Sequence, residues 1–477
     1  MSFKKKIISG VFWQGLERFG SQCISFIIQI WLARLLAPKD FGVVALMTVF
    51  IMLCTVVADS GFSNALIQKK DATQVDFCSV FFINIACGIV IYIFAFFFAP
   101  LMATFFNSPD LKLYLRISSL ALVINSFSRV QQALLYKNML FHLSFRINWC
   151  ALAISGATGI VMAYCGFGIW ALIAQQLCNA VMLCLLLWAL VKWRPQWYFD
   201  WTRAKKLFQF GWKLLLSSFF DALYNDVYSF VIGKIGDLTT LSYYSRGKSI
   251  PALGMGVINS SIGSVLFPAF SQIQDDRAKM RELAKRGLQN IMFLVIPALT
   301  MLFVLAEPLV QVLLTDKWLP CVVYLRLYCI VYFYWPFFTT NYQIINACGR
   351  SDLYLIVEIL KKTQGILLIV LTYRYGVLTM VAAGAAMEIV NFVENAWFNR
   401  KLINYPPWHQ LWDIMPILFV AILTGGGIYA GVHFIPSPLL KLTVGITGFT
   451  ALYLGGIIIA GKFPADIVRL FVREKTA

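Results

Sequence analysis

Residues 77–100 read FCSVFFINIACGIVIYIFAFFFAP, a run without one charged side chain. A hydrocarbon core roughly 30 Å thick takes about 20 apolar helical residues, and backbone polar groups in lipid must be bonded within their own segment. The run therefore predicts a helix that crosses a bilayer. Working outward, comparable runs fall at 10–36, 41–66, 113–136, 147–165, 168–191, 208–232, 249–271, 289–306, 321–346, 354–373, 377–398, 412–434 and 440–461, joined by short polar loops. The expected fold class is an all-α polytopic membrane protein with about fourteen transmembrane helices. Composition agrees, at 60% hydrophobic and 13% charged residues, and the alternating strands of a β-barrel are absent. Lys4-Lys5-Lys6 is not followed by a short apolar core and cleavage site, so the first segment reads as a retained helix rather than a signal peptide.

The net charge is +18, which raises nucleic acid as a partner. The cations do not form a basic module, however. With the N-terminus inside, Lys69, Lys70, Lys137, Arg146, Lys192, Arg194, Arg203, Lys205, Lys206, Arg277, Lys279, Arg281, Lys285, Arg286, Arg350, Arg400 and Lys401 fall in inner loops, and Lys462, Arg469, Arg473 and Lys475 in the tail. Outer loops hold only Lys39, Lys112, Lys317, Arg374 and Lys441, with Arg246 and Lys248 near a boundary. Such asymmetry sets orientation and attracts anionic headgroups. It places both termini of a multi-pass membrane protein in the cytoplasm and argues against nucleic-acid binding. The eleven cysteines and three histidines show no ligand spacing, so no metal, disulfide framework or cofactor is expected.

Two halves echo each other. Lys5-Lys6 precede the first segment and Lys205-Lys206 the seventh, Arg34 and Lys234 close the same two, and six segments follow each start. The reading is an N-terminal six-helix lobe (1–203), a C-terminal six-helix lobe (204–410) and two further helices with a cytoplasmic tail (411–477), the lobes forming a parallel repeat around a central cavity.

Polar residues that lipid should reject mark candidate sites. Segment one carries Gln14, Arg18, Ser21, Ser25 and Gln29 on one face with Glu17 beside it; segment two adds Thr48, Thr55 and Asp59. Segment four carries Asn125, Arg129, Gln132 and Tyr136, with Arg116 earlier. Segment seven carries Ser217, Asp221, Tyr224 and Tyr228, with Lys213 nearby, and segments eleven and twelve hold Glu358, Lys361, Lys362, Glu388 and Glu394. A water-filled cleft explains these faces, and so does helix-to-helix hydrogen bonding; Arg116, Arg34 and Lys234 are also close enough to helix ends to snorkel. Cations in a cleft select anionic cargo, because arginine makes bidentate, charge-assisted bonds to phosphate oxygens. The candidate substrate-binding set is Arg18, Arg129, Arg116, Lys213, Gln14 and Asn125; the candidate coupling or gating set is Glu17, Asp59, Asp221 and Glu388, with Na⁺ or H⁺ as the coupling ion.

Four motifs in order carry a resemblance: Ala33-Arg34-Leu35-Leu36-Ala37-Pro38-Lys39-Asp40-Phe41-Gly42, Asn64-Ala65-Leu66-Ile67-Gln68-Lys69-Lys70, Leu266-Phe267-Pro268-Ala269-Phe270 with Gln274-Asp275-Asp276, and Asp316-Lys317-Trp318. Along nearly the whole chain the sequence resembles the Wzx-type polysaccharide exporters, in the colanic acid and teichuronic acid branch of the multidrug/oligosaccharidyl-lipid/polysaccharide flippase superfamily. The resemblance implies two six-helix lobes, two extra helices, alternating access and no enzymatic activity. It also implies movement of an undecaprenyl-pyrophosphate-linked oligosaccharide from the cytoplasmic to the outer leaflet for surface polysaccharide biosynthesis. Membrane lipids, a polysaccharide polymerase and export machinery are the implied partners, and the bacterial inner (cytoplasmic) membrane is the implied location. A multidrug or cation exporter of the same superfamily is the alternative, with a membrane-embedded polymerase or glycosyltransferase behind it; outer loops of only about a dozen residues leave an enzyme little room for a catalytic domain.

Overall fold

In a computed structural model the backbone is described for residues 3–59 and 61–459, and side chains for all of these except 3–12, 14, 18, 64, 210, 257, 260, 261, 264 and 265. The tail cations Lys462, Arg469, Arg473 and Lys475 lie outside the described residues. Over the described residues each of the expected apolar runs is mostly helix, the second interrupted at Gly61, and there is no strand among the described residues.

The chain divides into two compact units, Met1–Ser242 and Tyr243–Ala477. The first holds α1 (Phe3–Leu35), α2 (Pro38–Asp59), α3 (Phe62–Gln68), α4 (Gln74–Phe105), α5 (Leu111–Ser118), α6 (Leu120–Ser126), α7 (Arg129–Lys137), α8 (Phe141–Tyr164), α9 (Ile169–Leu190) and α10 (Trp201–Ile235). After α11 (Leu238–Gln272), which starts in the first unit, the second holds α12 (Arg277–Val304), α13 (Ala306–Leu314), α14 (Cys321–Phe333), α15 (Trp335–Ala347), α16 (Ser351–Thr372), α17 (Val377–Ile403), α18 (Pro407–His433) and α19 (Pro438–Ile459). Among the described residues nine segments are long and apolar enough to cross a membrane: α2, α4, α8, α9, α12, the α14–α15 pair, α17, α18 and α19. Every stretch of α16 long enough to span contains Glu358, Lys361 and Lys362.

Local chemistry sets where these helices start. Thr73 and Asp76 form a capping box at α4, the Thr73 N–H donating to Asp76 Oδ2 at 2.8 Å. Asp200 caps α10 through the Arg203 N–H and Asp276 caps α12 through the Lys279 N–H. Segment four, expected as one helix, breaks twice. The Ser119 and Ser126 hydroxyls donate back to Leu115 and Val123 carbonyls, and Ser128 to Asn125, competing with the helical ladder. Segment ten breaks before α15, where Pro336 lacks an N–H to continue the ladder. Several helices start earlier than expected, α1 at Phe3 and α10 at Trp201 among them, and two of these starts move charged residues. The eighth segment begins at Leu238, so Arg246 and Lys248 lie within α11 rather than in a loop, and the ninth begins at Arg277 as a basic extension of an apolar helix.

In the first unit α8 packs on α1 and α9, and α10 packs on α2, α3 and α4. Glycine makes this last contact possible. Gly61 has φ +69°, and a Cβ there would meet the Gly211 carbonyl oxygen of α10 at 2.2 Å. The first unit therefore extends beyond residue 203 and takes in α10 along its length. Lysines close two helix ends: Lys137 Nζ donates to the Leu66 and Lys69 carbonyls after α3, and Lys234 Nζ to Phe105 at the end of α4.

In the second unit α18 packs on α12 and α19, and α17 packs on α15 and α16. A fully buried amide cluster ties three of these helices: Asn399 Nδ2 donates to Asn341 Oδ1 at 2.7 Å, and Gln410 Nε2 donates to the same oxygen at 3.0 Å. Local geometry recurs between the units at a nearly constant spacing along the chain. Left-handed residues Asn107, Met139 and Gly168 of the first match Thr315, Gly349 and Gly376 of the second. Arg116 donates Nε to the Phe96 carbonyl and lies over that ring; Arg326 does the same with Phe303.

Candidate functional site

The two breaks in segment four put Arg129 on the first turn of α7, aimed at the end of α2. Its Nη1 lies 2.5 Å from Asp59 Oδ1, and Nη2 donates to the Thr55 carbonyl at 3.4 Å. Ser63 Oγ donates to the same Asp59 oxygen at 2.7 Å, and Arg129 Nε is buried with no acceptor among the described residues. Side-chain exposure is 14% for Arg129 and 28% for Asp59, so the pair is half-buried. One carboxylate thus neutralises the cation, and one guanidinium face keeps unused donor capacity. Such a pair can open to an incoming anion, because a phosphate offers the same oxygen acceptors as the carboxylate it would replace.

The other candidates of the first unit disperse. Glu17 is buried between α1 and α8, accepting from Ser144 Oγ at 2.9 Å and Asn148 Nδ2 at 2.6 Å. Arg116 is held by Phe96, with its guanidinium 3.9 Å from the ring centroid. Asn125 is partly buried at the break beside Arg129. Lys213 and Asp221 are exposed on α10. The side chains of Gln14 and Arg18 lie outside the described residues. The structure therefore brings Asp59, Thr55 and Arg129 together, while Glu17 and Arg116 are engaged with α8 and α4.

A second polar seam runs between α15, α16 and α17. Lys361 Nζ lies 3.9 Å from Glu388 Oε2 and 4.4 Å above the Phe338 ring, and Asn391 Nδ2 donates to Glu388 at 3.2 Å. Tyr342 donates its hydroxyl to Glu358 at 2.7 Å, and Glu358 also faces Lys362 at 3.6 Å. Gln364 Nε2 donates to Glu394 at 2.6 Å, while Glu394 Oε2, Gln364 Oε1 and both side-chain polar atoms of Asn395 are buried with no partner among the described residues. Three carboxylates therefore share one apolar bundle with two ammonium groups. Reading the sequence helix by helix finds the Glu358–Lys362 pair but misses the link from Lys361 to Glu388; the signal available was the shared face of Glu388, Asn391 and Asn395 on α17.

At the end of the second unit where α12 starts, Arg277, Arg281 and Lys285 on α12 face Arg400 and Lys401 on α17 around a hollow of about 670 Å³. Arg400 lies near both Trp397 and Trp408. Cations framed by tryptophan suit anionic lipid headgroups. Among the described residues no cluster of His, Cys, Asp and Glu is arranged to hold a metal ion, and all eleven cysteines are unbonded.

Residues 31–323 match the family described as polysaccharide biosynthesis protein. The chain belongs to that family. Its relatives include the succinoglycan biosynthesis transport protein ExoT of Rhizobium meliloti (26% identical over 66% of this chain), the lipopolysaccharide biosynthesis protein WzxC of Escherichia coli (26% over 69%) and the teichuronic acid biosynthesis protein TuaB of Bacillus subtilis (24% over 95%). The match spans 64% of ExoT, 68% of WzxC and 95% of TuaB. Among solved structures, the family fold is that of the lipid II flippase MurJ in an inward closed conformation, with TM-score 0.74, 18% identity and coverage of 94% of this chain and 98% of that one. An inward-facing multidrug resistance MATE transporter of the MOP superfamily follows at TM-score 0.61, 15% identity and coverage of 83% and 94%. The family member is thus an all-α, multi-pass membrane protein of the MurJ and MATE fold.

Proposed function

We propose that this chain is a flippase that carries undecaprenyl-pyrophosphate-linked oligosaccharide repeat units from the cytoplasmic to the outer leaflet by alternating access, for surface polysaccharide biosynthesis. The observation that carries the reading is Arg129, a half-buried cation held by a single carboxylate and with one donor, Nε, to spare. The names of ExoT, WzxC, TuaB and MurJ support it, since those proteins serve polysaccharide biosynthesis or lipid II flipping. A pyrophosphate cannot cross hydrocarbon unpaired. Arg129 exchanges Asp59 for cargo phosphate, and protonation or re-pairing of Asp59 resets the site. No covalent step is needed.

The seam of Lys361, Glu388 and Glu394 is the proposed coupling element, where a proton or Na⁺ changes the balance of acids and amines. Both termini lie in the cytoplasm and the protein resides in the inner membrane, with the lobes at 1–203 and 204–410 followed by 411–477. The recurring left-handed turns and Arg–Phe pairs support that repeat. A polymerase would receive the flipped unit outside. The alternative, a drug or cation exporter, draws support from the carboxylates of the α16–α17 seam. Deleting the gene and profiling polyprenyl-pyrophosphate-linked oligosaccharides in spheroplasts separates the readings. Accumulation of a complete unit on the cytoplasmic side is expected; an unchanged lipid pool would favour the exporter, and unpolymerised units outside would point to an enzyme.

A further inference from the structure

Arg326 stands on the sixth position of α14, inside a segment long and apolar enough to cross a membrane. Its Nε donates to the Phe303 carbonyl at 3.3 Å and its guanidinium lies 5.6 Å from the Phe303 ring centroid, with no carboxylate partner among the described residues. An unpaired cation at membrane depth is costly, roughly 2.5–3.5 kcal/mol on insertion scales at a helix centre and less toward its ends. The charge nevertheless lines a groove of about 390 Å³ walled by α12 and α18.

The opposite wall is built to stay open. Of the glycines of α18 that line the groove, Gly425 is explained by packing, since a Cβ there would lie 2.8 Å from Thr300 Cγ2. Gly426 is not, since a Cβ there would meet nothing within 4 Å. A mid-helix glycine costs about 0.5–1 kcal/mol relative to alanine, and here the empty space in front of it is the groove itself. Ile422 and Tyr429, which flank Gly426, are 57% and 58% exposed, so the groove opens on an apolar outer surface. Tyr429 also offers a hydroxyl with no partner among the described residues. Arg326 and Tyr429 each lie about one to one and a half turns from a helix end, whereas Ile422 lies deeper. The slot is polar toward the membrane face and apolar toward the interior, the polarity of a lipid standing in one leaflet.

We infer that this groove binds a phospholipid, its phosphodiester on Arg326 and Tyr429 and one acyl chain along Gly426 and Ile422. The matching pair in the first unit, Arg116 on Phe96, shows that the arginine–phenylalanine contact does not by itself make a site. In the second unit α18 adds the third wall. The site is independent of the cargo reading, because it needs only a bilayer.

The test is native mass spectrometry of the full chain released from nanodiscs of phosphatidylglycerol, with nanodiscs of a phosphate-free galactosyl diacylglycerol as control. The wild type should retain a phosphatidylglycerol molecule. R326Q, which removes the charge but leaves a polar amide, and G426L, whose Cβ meets nothing within 4 Å and whose side chain would occupy the groove, should each lower its occupancy about tenfold while running as monodisperse folded protein. The galactolipid should not be retained. Equal retention by wild type and both variants overturns the inference, as does equal retention of the galactolipid, or binding of inorganic phosphate at Arg326 with no lipid retained.

Discussion

Neutralising both members of the Asp59–Arg129 pair should rescue the fold and not the transport. R129Q alone strands the Asp59 carboxylate, and D59N alone strands a guanidinium. Removing one partner of a fully buried pair costs about 3–5 kcal/mol, and the exposure of Asp59 reduces this to about 1–3 kcal/mol here. In the double variant D59N/R129Q the amides replace charge with neutral hydrogen bonds, so most of that loss should return. Transport should not return, because an arginine–phosphate bond worth about 1.5–3 kcal/mol is absent whenever Arg129 is absent. That energy corresponds to about a 10- to 150-fold loss of flux. Thermal unfolding of detergent-solubilised protein reads the first quantity, and surface polysaccharide made by a complemented deletion strain reads the second. Recovery of polysaccharide in the double variant would show that the pair only holds α2 to α7 and would remove Arg129 from the cargo site.

Three further outcomes follow from the packing and the second seam. G61A should lower thermal stability by about 1–3 kcal/mol or more, since it combines left-handed strain with a contact against the Gly211 carbonyl; a shift within error in a detergent melt would contradict that close approach. N399A removes a donor from the buried amide cluster and should cost about 1–3 kcal/mol in the same melt, with transport otherwise preserved. E388Q should leave the protein folded while making transport in proteoliposomes insensitive to an imposed proton or Na⁺ gradient; an unchanged gradient response would take the α16–α17 seam out of coupling.

Apolar runs made the spans legible because lipid demands length and hydrophobicity of every helix, but the caps Thr73, Asp200 and Asp276 start α4, α10 and α12 ahead of the apolar runs, where hydrophobicity gives no signal. The same physics hid the rest. In lipid the outer face of a helix is as apolar as the buried one, so the pattern does not say which way a residue points. The close approach of α10 to the turn between α2 and α3 needs Gly61 opposite Gly211, a contact between positions far apart in sequence. The breaks before Arg129 come from serine hydroxyls that also sit unremarkably inside helices. Arg326 is hard to single out within an apolar segment, because only its open groove distinguishes it from a snorkelling side chain.

Flipping can be read directly by reconstituting the purified chain in proteoliposomes with a fluorescent polyprenyl-pyrophosphate-linked oligosaccharide and following its access to a membrane-impermeant quencher. Wild-type protein should render the inner-leaflet pool accessible, whereas R129Q should leave it protected at equal protein incorporation. Equal protection with and without wild-type protein would rule out flipping of this cargo, and equal flipping by R129Q would remove Arg129 from the cargo site.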